Sequence, residues 1–391
     1  MIEQITIKNF KSFKDVTLKL GPLNIFIGAN ASGKSNFFDA LRVLQGIGYG
    51  FTLPEILDGK PKSVTSEVWE GIRGGSTKVP FASEDVSKPT MFQVAGKLPS
   101  GGDDGFEYTV AFSSAEGCFR EECLSLSGGK VYEAEGRKRL PLGRIHFYDK
   151  PFGGWGDADQ DRPVLTQIAH DVERMVARTL ADMQRIDPLP SLLRTYSQAY
   201  EIKRMGEHGE NFAALIRVIC SDPATKEAYL SWLRELRPRD VDDVGVLKGA
   251  IGEPMVMMKE RGREWPAPTL SDGTLRFAAI AAAFFQPDMP GILTIEEIED
   301  GIHASRLRLL VELLRSRTAD GKTQVIVTTH SPIVLAWLKP EEYATTFYCK
   351  RDEETGESRI IPLNEIPRFN EIVSRQPISD LFAEGWMETA L

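Results

Sequence analysis

Apolar and polar residues alternate at the start of the chain, which is the pattern of a half-buried strand. Residues 2–7 show this alternation, and residues 23–27 form a short, mostly apolar and β-prone run that indicates a buried strand. Farther on, Phe37, Leu41 and Leu44 lie on one face at helical spacing. This part of the chain therefore predicts strands, a loop and then a helix.

The centre of the chain changes from loops to strands and then to helices. Residues 51–89 are rich in Gly, Pro, Lys and Ser and predict loops. Residues 91–147 alternate in polarity over successive runs separated by glycine pairs, so they predict an antiparallel sheet. Residues 150–163 predict a loop. Residues 164–236 carry apolar residues three and four positions apart, which predicts helices.

Strand and helix patterns alternate again from residue 245 onward. We therefore expect an α/β fold that includes an antiparallel β subdomain and a helical insertion. The predicted division places the first part of the α/β domain at residues 1–160, the helical insertion at residues 161–244 and the second part at residues 245–391.

The composition fits a folded domain and excludes several classes of protein. The chain has 391 residues, of which 42% are hydrophobic, so a large domain with a full core is expected. A net charge of −9 argues against a broadly basic nucleic-acid surface, although it is compatible with a local basic patch. No apolar run is long enough to span a bilayer, and the opening strand pattern is unlike a signal peptide. We therefore expect a cytoplasmic protein without a membrane partner.

The cysteines give no sign of a metal or redox site. The chain has four of them, and no pair is spaced C-x-x-C. Neither a zinc hook nor a redox motif is therefore indicated, and reduced, buried thiols are the expectation.

A phosphate-binding pattern follows the second apolar run. Residues 28–35 read Gly-Ala-Asn-Ala-Ser-Gly-Lys-Ser, which fits G-x-x-x-x-G-K-[ST] between a predicted strand and a predicted helix. Lys34 would neutralise charge on the β- and γ-phosphates, and the Ser35 hydroxyl would hold Mg²⁺. Backbone N–H groups and the start of the helix would bind phosphate oxygens. We predict that ATP and Mg²⁺ are held by Gly28, Asn30, Ala31, Ser32, Gly33, Lys34, Ser35 and Asn36.

A second candidate anion site precedes another apolar helix. Residues 270–276 read Leu-Ser-Asp-Gly-Thr-Leu-Arg, and residues 277–285 are apolar. The Ser271 hydroxyl could contact a γ-phosphate, and Gly273 would let the backbone approach it. An ordinary helix cap followed by a flexible turn explains the same residues equally well.

Two carboxylates end a buried strand later in the chain. Residues 291–295 are mostly apolar and lead into Glu296 and Glu297. This is the Walker B pattern, in which one carboxylate supports Mg²⁺, usually through water, and the next polarises the attacking water.

Another apolar strand ends in a histidine. Residues 324–329 form this strand, and His330 follows it. Because residues 304–317 predict a crossover helix, we expect this strand to lie parallel to the Walker B strand. An imidazole at the carboxyl end of such a strand can hydrogen-bond a γ-phosphate.

Taken in order, these four motifs resemble the ABC-type ATPase heads of the RecF/SMC/OLD group. Residues 7–13 are similar to that group's first strand, and residues 69–75 are similar to a segment of its single-chain AAA ATPases. Residues 297–303 resemble its D-E-P-E-x-x-L-H block. The resemblance implies a P-loop NTPase of the ABC-ATPase type that converts ATP to ADP and phosphate.

The resemblance assigns roles to the candidate residues by position. It gives catalytic roles to Lys34, Glu297 and His330, with Glu297 as the catalytic carboxylate and His330 as the switch residue. It places Ser35 and Glu296 at the Mg²⁺ ion. It further implies a dimer of two heads around two ATP molecules.

Contacts with the nucleotide also follow from the resemblance. Ser271 and Gly273 would contact the γ-phosphate of the ATP held by the partner subunit. Lys11 and Ser12 would flank the nucleotide within the same subunit.

The chain departs from the family pattern at two positions. Glu296 stands where the family usually has Asp, so its longer side chain would bring the carboxylate closer to Mg²⁺, and Ile298 replaces the usual Pro. No long coiled coil is predicted, which argues against a chromosome-tethering SMC role. We expect no TOPRIM nuclease domain in this chain, so any nuclease would be a separate protein.

Several functions are compatible with these motifs. The resemblance favours the ATPase subunit of a bacterial anti-phage or toxin-like system that gates a separately encoded effector, such as a nuclease. The alternative is a RecF-like repair or recombination ATPase that binds DNA directly, and residues 137–139 and 234–239 are local basic clusters. A scaffold that binds nucleotide without hydrolysis is disfavoured because Lys34, Glu297 and His330 are all present. We expect a homodimer or a higher homo-oligomer.

Overall fold

The computed structural model describes residues 1–60, 69–81, 88–98, 105–136, 142–148, 154–198, 202–236 and 240–390. It divides into two compact units, each built from separate stretches of the chain. The first unit comprises Met1–Gly21, Phe26–Met183 and Thr345–Glu365. The second unit comprises Pro22–Ile25, Gln184–Ala344 and Ile366–Leu391.

The secondary structure of the described residues mixes strands and short helices. The strands are β1 (Ile2–Phe10), β2 (Phe13–Lys19), β3 (Leu23–Ile27), β4 (Thr90–Lys97), β5 (Gly105–Ser113), β6 (Cys118–Leu126), β7 (Gly129–Glu135), β8 (Leu142–Phe147), β9 (Gly154–Asp159), β10 (Met183–Ile186), β11 (Val241–Lys248), β12 (Pro254–Glu260), β13 (Arg263–Pro266), β14 (Ile292–Ile295), β15 (Gln324–Thr329), β16 (Thr346–Arg351) and β17 (Ser358–Pro362). The α-helices are α1 (Lys34–Tyr49), α2 (Leu53–Asp58), α3 (Val164–Gln167), α4 (Asp171–Ala181), α5 (Pro190–Leu193), α6 (Phe212–Ile219), α7 (Pro223–Leu236), α8 (Asp272–Ala283), α9 (Leu307–Thr318), α10 (Pro332–Leu335), α11 (Phe369–Val373), α12 (Ile378–Ala383) and α13 (Trp386–Thr389). Among these described helices, none has the length and apolar character needed to cross a lipid bilayer.

An antiparallel sheet of eight strands forms much of the first unit, in the order β2-β1-β4-β5-β6-β7-β8-β9. It confirms the antiparallel sheet predicted at residues 91–147. The loop predicted at residues 150–163 was wrong in part, because β9 pairs with β8 along its whole length. The β9 sequence, Gly-Trp-Gly-Asp-Ala-Asp, is too polar and too rich in glycine to show a strand pattern. Backbone pairing with β8 therefore overrides the local propensity.

Aromatic residues pack one face of this sheet. Phe10 lies edge-on against Phe92, with ring centroids 5.2 Å apart, and Phe92 stacks on Phe112 at 5.9 Å. All three side chains are fully buried. The alternation of apolar residues along these strands is therefore what builds the core of the first unit.

The end of β3 and the helix α1 fix the position of the phosphate-binding loop. The predicted apolar face of α1 is confirmed, since Phe37, Leu41 and Leu44 are all buried. Phe26 at the end of β3 stacks on Phe37, with ring centroids 4.4 Å apart. The same ring stacks on Phe347 of β16 at 4.8 Å. These contacts hold the strand and the helix on either side of the loop.

Helix α2 lies in the stretch for which only loops were predicted. Its first turn is a capping box, in which Thr52 Oγ1 accepts from the Glu55 N–H at 3.3 Å and the Glu55 carboxylate accepts from the Thr52 N–H at 2.9 Å. The T-x-x-E spacing is a recognised start signal for a helix. The sequence therefore contained the information that the prediction of loops overlooked.

The second unit contains the predicted parallel strand pair. Strands β10, β14 and β15 and the first residues of β3 are neighbours in that order. β14 and β15 pair in parallel, with Ile295 opposite Val327, as predicted. The crossover helix α9 begins at Leu307, after a 3₁₀ turn at Ala304–Arg306. The carboxyl ends of β14 and β15 therefore lie side by side.

The predicted helical segment contributes to both units. α3 and α4 belong to the first unit, whereas α5, α6 and α7 belong to the second unit. The segment also contains the short strand β10, which the helical pattern did not predict. Beyond it, β11, β12 and β13 form a separate antiparallel sheet in the second unit. The three-part division at residues 160 and 244 differs from these compact units and stays a prediction.

Candidate functional site

The glycines of the phosphate-binding loop lie where no side chain fits. A Cβ on Gly28 would come within 2.2 Å of the Cys349 carbonyl oxygen. Gly33 has φ +108, and a Cβ there would come within 2.5 Å of Ser358 Oγ. Both positions therefore require glycine, the second for its backbone conformation as well as for space.

Lys34 starts α1 and is 6% exposed. Its ammonium group donates to the carbonyl oxygens of Gly28 at 2.6 Å and Ala29 at 2.8 Å, so it lies against the loop. Gly33 gives no side-chain cap to the helix, whose first N–H groups are suited to an anion. The Ser32 hydroxyl is buried without a hydrogen-bond partner among the described residues. These features fit a bound phosphate chain.

Lys11 and Ser12 lie against the first turn of α1, in the same unit as the loop. The Lys11 ammonium group bonds Asp39 of α1 at 2.5 Å. Ser12 Oγ accepts from the Asn36 side-chain amide at 2.7 Å. Burial lowers the pKa of Lys11, and its bond to Asp39 opposes that shift. The structure thus brings Lys11 and Ser12 together with residues 28–36, while their contact with a nucleotide stays a prediction.

Residues 69–75 pack on α1 at two points. The Arg42 guanidinium lies over the Trp69 ring, 3.7 Å from its centroid. Arg73 donates to the Ser35 carbonyl oxygen at 2.7 Å, and its Nε lies 3.3 Å from the Asp39 carboxylate. Arg73 and Asp39 were not predicted as site residues, because their contacts join stretches that are far apart in sequence.

In the second unit, Ser271 is the N-cap of α8. Its hydroxyl oxygen accepts from the Thr274 N–H at 3.3 Å and lies 2.8 Å from the Thr274 hydroxyl. Gly273 packs against the following loop, where a Cβ would come within 2.3 Å of the Gly301 carbonyl oxygen. The capping interpretation is therefore confirmed, and it leaves Ser271 exposed at the start of the helix.

An open basin of about 780 Å³ lies beside this turn. Ser271 and Gly273 line it together with Arg194, His303 and Arg306. The Arg194 guanidinium donates to the Leu270 carbonyl oxygen at 2.9 Å and also pairs with the Asp272 carboxylate. The turn is thus held rigid at the edge of a basin that carries two arginines.

A buried arginine connects α8 with the paired carboxylates. Arg276 donates to the carbonyl oxygens of Glu296 and Glu297, both at 3.2 Å. It also donates to the Pro188 carbonyl oxygen at 3.0 Å and to the Asp187 carboxylate at 3.2 Å. The helix that begins at the Leu-Ser-Asp-Gly turn is therefore fixed to the end of β14.

Glu296 follows β14, as predicted, but its carboxylate has a partner that the sequence did not reveal. Arg185 of β10 lies 3.1 Å from Glu296 Oε1 and 3.3 Å from the Glu207 carboxylate. In the part of the chain that the structure describes, no group of three or more His, Cys, Asp or Glu residues is arranged to hold a metal. Mg²⁺ bound through phosphate, water and one or two protein oxygens needs no such cluster.

Glu297 has a left-handed backbone with φ 47, which is uncommon outside glycine. The end of β15 holds it there, because the Glu297 N–H donates to Thr328 Oγ1 at 2.9 Å. The Ile298 N–H donates to the Thr328 carbonyl oxygen at 3.1 Å, a bond that the usual family Pro cannot make. Strained conformations of this kind are concentrated at functional sites.

His330 follows β15, and its side chain is 46% exposed. Its Nδ1 lies 3.0 Å from Glu299 Oε1, and its backbone N–H donates to the same oxygen at 2.6 Å. The structure therefore brings Glu296, Glu297 and His330 to one edge of the second unit. Glu299 was not predicted as a site residue, although it lies inside the block that resembles D-E-P-E-x-x-L-H.

Comparison with known families gives two matches along this chain. The family described as "AAA domain, putative AbiEii toxin, Type IV TA system" matches residues 147–336. The family described as "AAA ATPase domain" matches residues 1–52.

Characterised relatives agree with these matches. An ATP/GTP phosphatase of Helicobacter pylori is 22% identical over 378 residues, which cover 90% of this chain and 93% of that protein. The DNA replication and repair protein RecF of Lactococcus lactis subsp. cremoris is 46% identical over 44 residues, which cover 11% of this chain and 12% of RecF.

Solved structures of SMC heads share the fold. An SMC head bound to the C-terminal winged-helix domain of ScpA has a TM-score of 0.52 and 16% identity, and the match covers 92% of this chain and 96% of that chain. The Smc head from Pyrococcus furiosus, with an extended coiled coil and bound to the C-terminal domain of ScpA, has a TM-score of 0.51 and 14% identity, and covers 96% and 99%. These similarities confirm the predicted fold class, an α/β P-loop domain of the ABC-ATPase type.

Proposed function

We propose that this chain is an ABC-type ATPase of the RecF and SMC group, which binds ATP between two copies of itself and hydrolyses it as a switch. The observation that carries the proposal is the edge formed by β14 and β15. There Glu297 is held in a left-handed conformation, and His330 ends the neighbouring parallel strand. ATP hydrolysis also needs a site that binds the phosphates. The phosphate-binding loop of the first unit, with its lysine, supplies that anion site.

The first unit binds the nucleotide in this proposal. Backbone N–H groups at the start of α1 and the Lys34 ammonium group hold the phosphates. The Ser35 hydroxyl and the Glu296 carboxylate would hold Mg²⁺, and the ion would neutralise phosphate charge. For Glu296 to serve in this way, its carboxylate would have to bind the ion in addition to Arg185, its partner in the second unit.

The second unit supplies the groups for hydrolysis. Glu297 polarises a water molecule and accepts its proton as the oxygen attacks the γ-phosphorus. The bond from the γ-phosphorus to the β–γ bridging oxygen breaks, which gives ADP and inorganic phosphate. His330 contacts the γ-phosphate and loses that contact when phosphate leaves.

Ser271 and Gly273 complete the site of the partner subunit in this proposal. The support is their position at the start of α8, on a basin large enough to receive part of another molecule. Loss of the γ-phosphate then removes a contact between the two copies and opens the dimer.

The biological role that we propose is the ATPase subunit of a cytoplasmic anti-phage system that gates a separately encoded effector. The family match to an AAA domain described with AbiEii toxin supports it. The RecF match favours the alternative, direct binding of DNA. Of the basic clusters considered for that alternative, residues 137–139 and 237–239 lie outside the described residues, and Arg234 pairs with Glu227. Salt-sensitive DNA binding that strengthens with ATP would support the alternative.

Phosphate release by the purified protein tests the ATPase proposal. Wild-type protein with ATP and Mg²⁺ should release phosphate, and Glu297→Gln should lower kcat at least about 100-fold because it removes the base. Glu353→Gln, which changes an exposed acid, is the matched control and should keep the wild-type rate. Equal rates for Glu297→Gln and wild type would contradict the proposal.

A further inference from the structure

We propose that Glu299 is a positioning residue that orients the His330 imidazole and joins it to the loop that carries Glu297. The inference deepens the proposed function and rests on it, since it concerns the same switch residue. Glu299 affects ATP hydrolysis only through its contact with His330.

Two hydrogen bonds to one oxygen define the contact. Glu299 Oε1 accepts from the His330 backbone N–H at 2.6 Å and lies 3.0 Å from His330 Nδ1. Because an ionised carboxylate can only accept, Nδ1 carries the proton of that bond. The other nitrogen, Nε2, is then the one left for a ligand, on a side chain that is about half exposed. An imidazole protonated on both nitrogens can donate through Nε2 to a phosphate oxygen while Nδ1 stays bonded to Glu299.

The burial of Glu299 argues that this contact is retained for a purpose. Its side chain is only 8% exposed. Its second oxygen, Oε2, is buried without a hydrogen-bond partner among the described residues. A buried carboxylate with one unused oxygen costs free energy that an apolar side chain of similar size would not. The bond to the His330 backbone N–H is one use of this carboxylate in the fold, and orientation of the His330 imidazole accounts for its second bond.

The same segment connects His330 with the proposed base. The N–H groups of Glu297 and Ile298 both donate to Thr328, two residues before His330. In the opposite direction, the His330 N–H donates to Glu299, two residues after Glu297. The loop after β14 and the end of β15 are thus joined by bonds that run both ways. These bonds give a displacement of His330 on phosphate release a direct route to the left-handed backbone of Glu297.

A double-mutant cycle tests the inference. We expect Glu299→Ala to lower kcat about 10- to 100-fold with little change in KM for ATP, by analogy with the carboxylates that orient metal-ligating histidines. In a His330→Ala background, Glu299→Ala should cause less than about a twofold further loss, because its effect passes through the imidazole. Glu299→Gln should restore part of the activity, since its amide oxygen can accept both bonds.

A second measurement needs no turnover. Nitrogen-15 NMR of the imidazoles in the nucleotide-free protein reports which ring nitrogen carries the proton, and the His330→Ala spectrum assigns the signal. Wild type should show a proton on Nδ1 of His330, and Glu299→Ala should lose that preference. Glu342→Ala removes a partly buried carboxylate of the second unit, which pairs with Arg315, and should leave both kcat and the His330 signal unchanged.

The outcomes separate this inference from the proposed function. Wild-type kcat in Glu299→Ala, or an equal loss from Glu299→Ala with and without His330, would overturn the inference while His330→Ala and Glu297→Gln stay impaired. Wild-type kcat in His330→Ala would overturn the switch role of His330 in the proposed function and the inference with it.

Discussion

Replacing Arg276 with alanine tests how strongly the helix α8 is tied to the end of β14. The guanidinium is 4% exposed and donates to Asp187, Pro188, Glu296 and Glu297 at 3.0–3.2 Å. Removal leaves those carbonyl oxygens and one carboxylate without this donor. Hydrogen bonds to charged groups contribute about 1.5–3 kcal/mol each, but such losses are not additive within one network.

Breaking one side of a buried, charged network costs about 3–5 kcal/mol, and we expect Arg276→Ala to fall in that range. For a unit of this size, 1 kcal/mol corresponds to roughly 2–4 °C in Tm, so Tm of the second unit should fall by about 6–20 °C. Turnover should fall as well, because Arg276 bonds the carbonyl oxygen of Glu297.

Differential scanning calorimetry of wild type and two variants checks this expectation. Arg234→Ala is the control, because Arg234 is exposed and its ion pair with another exposed side chain, Glu227, is of a kind that contributes below about 1 kcal/mol. Its other hydrogen bond, to the Asp242 carbonyl oxygen, is long at 3.3 Å. Arg276→Lys keeps the positive charge but cannot make the four hydrogen bonds of the guanidinium. It should therefore recover less than half of the fall in Tm. A Tm for Arg276→Ala no lower than that of Arg234→Ala would refute the reasoning.

Two further predictions concern the first unit. Gly33→Ala should weaken ATP binding at least about tenfold, because φ is +108 and a Cβ would meet Ser358 Oγ at 2.5 Å, whereas Gly128→Ala, with φ +84 and open space around the Cβ, should not. Titration with a fluorescent ATP analogue measures the affinity of each variant, and equal affinities of Gly33→Ala and Gly128→Ala would contradict the account. Burial raises the pKa of Glu122 above its ordinary value of 4.5. Protonated Glu122 therefore stabilises the folded protein fully below pH 4.5, and this stabilisation is lost as the pH rises through the raised pKa. Glu122→Gln does not titrate and should therefore show a flatter fall of Tm with pH above 4.5 than wild type; an equally steep fall would count against this assignment.

The parts of the fold that the sequence predicted are those that depend on local pattern. The apolar run before residue 28 and the helical face after it gave the strand, loop and helix. The parallel pairing of β14 and β15 was predictable because a helix of sufficient length joins two apolar strands. β9 was missed because its pairing with β8, and not its own residues, makes it a strand.

The parts of the site that the sequence did not predict are contacts across long sequence separations. Glu299 bonds His330, 31 residues later, and Arg276 bonds Asp187, 89 residues earlier. No spacing rule links such residues. The interpretation of Glu296 considered only the length of its side chain. It omitted Arg185, whose positive charge competes with Mg²⁺ for the same carboxylate.

The solution mass of Glu297→Gln with and without ATP and Mg²⁺ tests the central claim most directly. Because removal of the base should trap the ATP state, light scattering should show a monomer of 43.5 kDa becoming a dimer, or a dimer becoming a larger assembly. A second variant that adds Ser271→Arg to Glu297→Gln should block this change, because the larger side chain would occupy the surface offered to the partner's ATP. An unchanged mass at saturating ATP in Glu297→Gln would contradict the dimeric switch and leave an ATPase whose site is complete within one chain.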